Sequence, residues 1–599
     1  MKKARRKSKS LSEKTKTTKK NQIVKPSENK KAEGPALPER INKFIYKTNS
    51  KYYLWAALVI FIIPVSFIKI YDCDIWWHMQ LGRSMIENMG LPDYTTFYFT
   101  PVNFKYTDLR YTWLGDIFLY GVHWLGNDFG LQLLVLFIVL FSCYLLYAVV
   151  RPNFNAWHLL ALMLFVIGTF QKQLVRNSLF ALLFTTLIFF LWWQVRYHER
   201  EKRIWIFPVI IGIWGCIHGS YLLGFGVMAL IFAGDWIDHI RGLNQGKKNL
   251  ALEYVLVTAI SFVLISAFNP MTSHFLKINK FKNIFTYEDN LKKEFFHDLY
   301  TENNSLQGRA EGRIIQRKSS ISKDYNPLLS GFEIEGVLKK VKTFLNNIIF
   351  KQTDAILPSG DFVSPFDSFG WIYVKVSFFM ALLGVFFLTV FSKPVRFSHI
   401  FPFLAILVVG SGYVRMVGYI PIVVTATVFI ASKNKEFTLG INPKWAAGIA
   451  GLAIIAVYLN LATGYKIPIG TNLQAFGIGR IPVFSKENSD KILNDFSQKK
   501  AFTTVMNGGY LLYNWYPKKK VFIDGFFAPH PFSLFSEYSN FIKGETDPDF
   551  FHEKYGVEIA IIEQNRVSLN KSFLKSPNWH VRFIDQGSIA YFYYDNESL

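Results

Sequence analysis

The sequence predicts a multi-span α-helical membrane protein with about eleven transmembrane helices and a small C-terminal α/β domain. Three observations support this prediction. Hydrophobic residues make up 51% of the 599 residues and charged residues only 18%, where soluble domains carry roughly 25% charged residues. Apolar runs of about 20 residues, the length that crosses a bilayer, recur along the chain. Lys and Arg collect in the short segments between alternate runs.

The first 50 residues form a basic tail. They contain 16 Lys and Arg against 4 Asp and Glu, which gives +12 (16 − 4), half of the net charge of +24. A segment with so little apolar surface is expected to be disordered, and no apolar core with a cleavage site marks it as a signal peptide. We expect residues 1–50 to be a cytoplasmic tail that contacts anionic lipid and binds no nucleic acid.

Residues 51–464 form the predicted transmembrane domain of a plasma (inner) membrane protein. If the tail is cytoplasmic, the basic segments 196–203 and 238–249 fall on the cytoplasmic side too, as the positive-inside rule requires. Two long segments, 71–130 and 270–370, are then external loops. The predicted spans and hairpins cover residues 52–70, 131–150, 157–170, 179–195, 204–233, 250–268, 371–391, 399–413, 416–431 and 445–463.

Residues 465–599 have shorter apolar runs than the preceding part of the chain, and they predict a soluble extracytoplasmic α/β domain. Short β-type strings alternate with helix-like stretches, and turn signals occur at 507–509 and 524–525. The predicted elements are strands at 520–523, 557–562 and 588–594 and helices at 489–496 and 549–555.

Two carboxylates, Asp72 and Asp74, stand where the first span meets the external loop. A helix is expected from Ile75 onward, with Asp74 as its N-cap. Acidic groups at a membrane boundary are costly unless they are paired or used in chemistry. The residues alone therefore leave two interpretations open, a helix cap beside an aromatic belt and a catalytic acid.

The surrounding motifs resemble those of GT-C glycosyltransferases. The acid pair is followed by an aromatic-basic helix and by a turn in which Gly90, Pro92 and Phe97 are spaced as Gly-x-Pro-x-x-x-x-Phe. The form looks especially like bacterial members of the mannosyltransferase-like (dolichyl-phosphate-mannose and arabinose transferase) superfamily. Further matching strings are Val175-Arg176-Asn177, Trp214-x-x-x-His218-Gly219, Phe268-Asn269-Pro270 and residues 507–525.

The resemblance implies a GT-C-like membrane fold and a sugar donor linked to a lipid phosphate. The family's essential acid maps onto Asp74, with Asp72 as second choice. This acid would act as general base on the acceptor or help to hold a divalent metal ion. The acidic residue that often follows it directly is replaced here by Ile75, which argues against a paired-carboxylate metal site.

The chemistry also needs groups that bind the substrate and the departing phosphate. Arginines at the outer ends of spans suit the second task because a guanidinium matches phosphate geometry. The predicted substrate-binding residues at the external boundary are His78, Arg110, Lys172, Arg176, His218 and Arg415.

The favoured function is therefore an inverting membrane glycosyltransferase that moves a hexosyl or pentosyl group from a polyprenyl-phosphate donor. The acceptor would be an extracytoplasmic glycan, lipid or protein. The chain has neither a Walker A motif nor a dinucleotide fingerprint, which favours a lipid-linked donor over a nucleotide sugar. The alternatives are a surface-polysaccharide polymerase or ligase, a transporter or flippase, and a non-catalytic assembly protein.

Overall fold

The computed structural model describes residues 50–90, 93–102, 112–268, 372–390, 394–412, 414–432, 443–462, 467–469, 472–474, 477–480, 484–526, 529–585 and 587–594. By its internal contacts the chain divides between Tyr52 and Tyr53, and residues 53–599 form one compact unit. The predicted tail, apart from Ser50, and the predicted loop 270–370 lie outside the described residues. The domain boundary at residue 464 stays a prediction.

Helices occupy the positions predicted to cross the membrane and also lie in the predicted loop 71–130. Up to residue 462 they are α1 (Ser50–Ser66), α2 (Asp74–Glu87), α3 (Trp113–Val150), α4 (Ala156–Gly168), α5 (Leu179–Tyr197), α6 (Phe207–Gly215), α7 (Tyr221–Ile240), α8 (Ala251–Phe268), α9 (Ile372–Val390), α10 (Phe397–Gly412), α11 (Ile420–Ser432) and α12 (Pro443–Ala462). Short helical turns lie at Tyr94–Thr96, Arg151–Asn153, Phe170–Gln173, Glu201–Ile206 and Val414–Val417.

The chain is an integral membrane protein. Among the described residues, five helices are long and apolar enough to cross a membrane, namely α3, α5, α7, α8 and α9. Shorter apolar helices correspond to α1, α4, α10, α11 and α12. Their positions agree with the predicted spans, and the count of eleven stays a prediction.

The described part of the predicted external loop 71–130 is largely helical, and the helix expected from Ile75 onward is present. It contains α2 and the first part of α3, a helix of 38 residues. Asn127 has φ 49° and ψ −149° inside α3, so this one residue breaks the helical geometry between its two parts. The second part of α3 contains the predicted span 131–150, and the first part of α3 packs against α2.

The C-terminal region contains the predicted small sheet. Its helices are α13 (Lys486–Asp495), α14 (Val505–Trp515), α15 (Phe532–Lys543), α16 (Asp549–Tyr555) and α17 (Val567–Lys575). Strands β1 (Ile467–Ile469) and β2 (Asn472–Gln474) form an antiparallel pair. The other four, β3 (Lys500–Phe502), β4 (Val557–Glu563), β5 (Trp579–Ile584) and β6 (Ser588–Tyr593), form a sheet in the order β3-β4-β6-β5. Only β3 and β4 are parallel in that sheet.

Two local predictions in this region are wrong. The expected turn at 507–509 lies inside α14, because Thr504 and Asn507 cap its first turn reciprocally. The expected strand at 520–523 does not join the sheet. Val521 instead donates its backbone N–H to the carbonyl of Phe97 at 2.9 Å. The segment after α14 is thereby attached to the segment between α2 and α3.

A seam of backbone hydrogen bonds joins the end of the first span to the C-terminal region. Ile70 donates its N–H to the carbonyl of Gly479, and Gly477 donates to Phe67, both at 2.9 Å. The buried side chain of Gln132 bonds both sides, because its amide nitrogen lies 2.9 Å from the carbonyl oxygens of Ile68 and of Gly477. The seam ends two residues before Asp72.

Candidate active site

The start of α2 places two carboxylates side by side. Asp74 is the first residue of the helix, and Cys73 precedes it without a side-chain cap. Asp72 accepts a hydrogen bond from the backbone N–H of Asp74 at 2.9 Å. The capping carboxylate is therefore Asp72, which corrects the expectation that Asp74 is the N-cap. The side chain of Asp74 does not cap the helix.

Arg176 lies between the two acids. Its Nη1 is 3.4 Å from Oδ2 of Asp72 and 3.4 Å from Oδ2 of Asp74. Its Nε donates to Ser178 Oγ at 2.9 Å, and Trp77 Nε1 donates to the other oxygen of Asp74 at 3.1 Å. The structure thus brings together three of the predicted site residues, Asp72, Asp74 and Arg176, from positions about 100 apart in sequence.

His78 lies one turn along α2 in a buried polar cluster. Its Nδ1 is 2.5 Å from Oδ1 of Asp116 on α3. Asn177 donates from Nδ2 to the same oxygen at 2.8 Å, and Thr112 donates to Oδ2 at 3.1 Å. The ring of His78 also stacks on Trp77 with centroids 3.6 Å apart. Trp77 therefore contacts both Asp74 and His78.

The C-terminal region closes over the acids. A Cβ on Gly525 would lie 3.3 Å from Oδ1 of Asp74 and 3.1 Å from the Trp77 ring, so a side chain there would press on both residues. Phe526 stacks on Trp77 at 4.8 Å. The fully buried Asp524 accepts from Tyr98 Oη at 2.9 Å and from the N–H of Phe526 at 2.8 Å. These two bonds hold the covering segment in place.

Two of the other predicted residues, Lys172 and His218, lie in connections between helices. Lys172 is buried in the turn Phe170–Gln173, four residues before Arg176, with its Nζ 4.4 Å from the centre of the Tyr419 ring. His218 bonds Ser220 Oγ at 2.7 Å in the α6–α7 connection. Arg110 lies outside the described residues, as does the side chain of Arg415. Neither of the last two can be placed relative to the acids.

The acid pair and Cys73 offer a set of potential metal ligands. Within the described ranges, Asp72, Cys73 and Asp74 are the one group with ligand atoms close enough, all within 4.8 Å of one another. Burial raises the pKa of the Cys73 thiol well above its usual value, and the neighbouring carboxylates raise it further. Nη1 of Arg176 faces both carboxylates.

Sequence reasoning missed Asp116, which belongs to the buried part of this site. Its signal was present, because an aspartate in the apolar string Trp113–Val150 is costly unless paired or functional. Asn177 was part of a matched string without an assigned role. The contacts of Gly525 and Phe526 had no signal, since they depend on how the C-terminal region folds back.

The architecture has a known counterpart. It matches the apo crystal structure of the Archaeoglobus fulgidus oligosaccharyltransferase with a TM-score of 0.50 and 12% identity, covering 87% of this chain and 70% of that chain. The chain has the GT-C fold. The resemblance inferred from the first external segment is thereby confirmed at the level of fold.

Two further GT-C structures are similar at lower scores. The same archaeal enzyme, tethered with an acceptor peptide containing the NVT sequon, gives a TM-score of 0.44 at 13% identity over 93% of this chain and 75% of that one. ArnT from Cupriavidus metallidurans bound to undecaprenyl phosphate gives 0.32 at 13% identity over 93% and 98%. No protein-family model and no curated protein matches the sequence.

Proposed function

We propose that this GT-C protein is a membrane glycosyltransferase that moves a sugar from a polyprenyl-phosphate donor to an extracytoplasmic acceptor. The observation that carries the proposal is the cluster of Asp72, Asp74 and Arg176 at the end of the first apolar helix. It puts a proton acceptor and a cation for phosphate within one site. The GT-C fold supports the same reaction class.

In the proposed reaction Asp74 is the general base. The acceptor hydroxyl gives its proton to the Asp74 carboxylate while its oxygen bonds to the anomeric carbon of the donor sugar. The bond from that carbon to the phosphate oxygen breaks, and its electron pair leaves on the phosphate. Each carboxylate oxygen has two lone pairs, so the bond from Trp77 leaves Asp74 able to accept a proton.

Arg176 is proposed to stabilise the departing phosphate. Its contacts of 3.4 Å with the two acids are long for charge-assisted hydrogen bonds, which are usually about 2.7–2.9 Å. A phosphate oxygen at the shorter distance would therefore compete well for the same N–H groups. Lys172, four residues earlier, and His218 are proposed to contact the substrate, as are Arg110 and Arg415.

The proposed orientation puts this site on the external face. The segments predicted to be cytoplasmic meet one another, because Lys247 donates to the carbonyl of Arg196 at 2.6 Å and Arg396 donates to Asn244 at 2.8 Å. Arg176 and Arg196 lie at opposite ends of α5, whose 19 residues span about 28 Å. If Arg196, Lys247 and Arg396 lie at the cytoplasmic face, as the positive-inside rule requires, then Asp72, Asp74 and the C-terminal region lie at the external face.

Donor turnover by purified protein in liposomes tests the proposal directly. We expect one of a panel of radiolabelled polyprenyl-phosphate sugars to lose its sugar to a cell-envelope acceptor extract. Arg176→Gln should slow this release by about 100-fold or more because one cation at the developing charge is lost, and Arg176→Lys should retain part of the rate. Arg83→Gln is the matched control, since Arg83 pairs with Glu87 at the far end of α2.

No turnover of any donor by the parent would favour the polymerase, transporter or assembly interpretations. Equal rates in the parent and in Arg176→Gln would remove Arg176 from the phosphate site.

Transfer is expected to continue in excess EDTA. We propose that Arg176 supplies the positive charge at Asp72 and Asp74 that a divalent ion would otherwise supply. Release of labelled sugar should be measured with the chelator alone and after adding back Mg²⁺ or Mn²⁺. A loss of activity that either ion restores would contradict the proposal and would assign Asp72 and Asp74 as metal ligands.

A further inference from the structure

Three buried polar side chains converge behind the acid pair. His78 is 6% exposed, and Asp116 and Asn177 are fully buried. They come from α2, from α3 and from the connection that carries Arg176. Burying a carboxylate this completely is costly unless hydrogen bonds satisfy it, so the arrangement of its donors defines what the cluster can do.

The hydrogen bonds determine where the proton of His78 lies. Asp116 accepts from Thr112 on one oxygen and from Asn177 on the other. The same second oxygen is 2.5 Å from Nδ1 of His78, and a contact that short between a nitrogen and a carboxylate oxygen requires a hydrogen between them. The amide nitrogen of Asn177 carries two hydrogens and lies 2.9 Å from Nδ1 as well as 2.8 Å from Asp116. An ionised carboxylate has no hydrogen to donate, so the hydrogen between Asp116 and Nδ1 belongs to the imidazole ring. Nδ1 therefore carries a proton, and acid–base exchange at His78 is left to Nε2.

We propose that Asp116 and Asn177 are positioning residues that hold His78 with its proton on Nδ1, so that Nε2 receives the proton from Asp74. This inference rests on the proposed transferase function. Asp74 and His78 lie four residues apart on α2, hence on one face, and Trp77 contacts both.

The proton balance of the site supports this role. After transfer Asp74 holds the acceptor's proton as a neutral acid and must lose it before the next turnover. Nε2 takes that proton, directly or through one water molecule, which restores the Asp74 carboxylate and leaves an imidazolium. The ionised Asp116 balances the new positive charge, and the imidazolium then returns the proton to water.

The tautomer of His78 tests the inference without substrate. In protein labelled with ¹⁵N-histidine, the His78 signals are identified by their disappearance in His78→Gln. At a pH where His78 is neutral, we expect the proton on Nδ1 in the parent and on Nε2 in Asp116→Asn. Asp128→Asn is the matched control, because Asp128 pairs with His123 on the same helix at 3.5 Å.

Turnover supplies the second measurement. Asp116→Asn should lower kcat about 100-fold with little change in the donor KM, and Asn177→Ser should lower it less. A purely structural pair would instead lower the melting temperature and leave kcat intact in the folded fraction. If Asp116→Asn does not fold, the parent's tautomer and Asn177→Ser still decide the question.

The possible failures are distinguishable. A proton on Nε2 in the parent would overturn this inference and leave the transferase proposal standing. A proton on Nδ1 in a parent that turns over no donor would keep Asp116 and Asn177 as residues that set the tautomer of His78. It would contradict the proposed transferase function.

Discussion

Asp74→Asn is expected to reduce sugar transfer by about 100-fold to 10,000-fold, the range for loss of a positioned general base. An amide occupies the same volume and still accepts from Trp77, whose Nε1 is 3.1 Å away. It cannot take a proton from the acceptor hydroxyl. Folding should be preserved, because Asp74 is partly exposed and its contacts with Arg176 are long. The rate is measured as release of labelled sugar in liposomes.

Two control variants separate chemistry from charge. Asp93→Asn changes the same functional group in the same external segment, where Asp93 accepts from Thr95 at 2.9 Å at an exposed site, and it should leave the rate unchanged. Asp72→Asn should give a smaller loss than Asp74→Asn, since Asp72 caps α2 and only shares Arg176. If Asp74→Asn retains the parent rate, Asp74 is not the base and the acid pair serves only the helix start and Arg176.

Gly508→Ala is expected to destabilise the protein and to abolish transfer, against the usual trend. Alanine in place of glycine inside a helix normally stabilises by about 1 kcal/mol. Here a Cβ on residue 508 would overlap the carbonyl oxygen of Ile523, a backbone atom that cannot rotate away. Relieving the overlap costs roughly 1–3 kcal/mol or more. It also shifts Gly525, which lies against Asp74 and Trp77.

The measurements are the melting temperature in detergent and the rate of sugar release. Gly121→Ala is the matched control, because it makes the same change inside α3 where nothing lies within 4 Å of the added Cβ. It should leave both quantities at or slightly above the parent values. A parent-like rate in Gly508→Ala would mean that the segment after α14 can move without disturbing the acids.

The helices were predictable because the bilayer constrains them so strongly. A segment that crosses hydrocarbon must bond its own backbone and present apolar side chains, so α5 and α8 agree with the predicted ranges within about two residues. The α3 break could not be predicted in the same way. It depends on a single unusual backbone conformation at Asn127. The sequence is mostly apolar both before and after this residue.

The acid pair could be located from sequence, but its surroundings could not. Asp72 and Asp74 are adjacent to a span end, which is a local feature. The bond between His78 and Asp116 joins residues 38 apart, and Arg176 reaches Asp74 from 102 residues away. Pairings of this kind follow from how α2, α3 and α5 pack. No periodicity in one segment encodes them.

The seam between residues 67–70 and 477–480 makes the C-terminal region part of the scaffold of the candidate site. In the backbone stretch that leads to Asp72, residues 67–70 accept hydrogen bonds from Gly477 and Gln132 and donate one to the carbonyl of Gly479. The region that closes over Asp74 and the helices that carry Asp74 are therefore not interchangeable modules. A chimaera that grafts a different C-terminal region onto these helices is therefore expected to lose the backbone hydrogen bonds beside Asp72 as well as the contacts of Gly525 and Phe526 with Trp77.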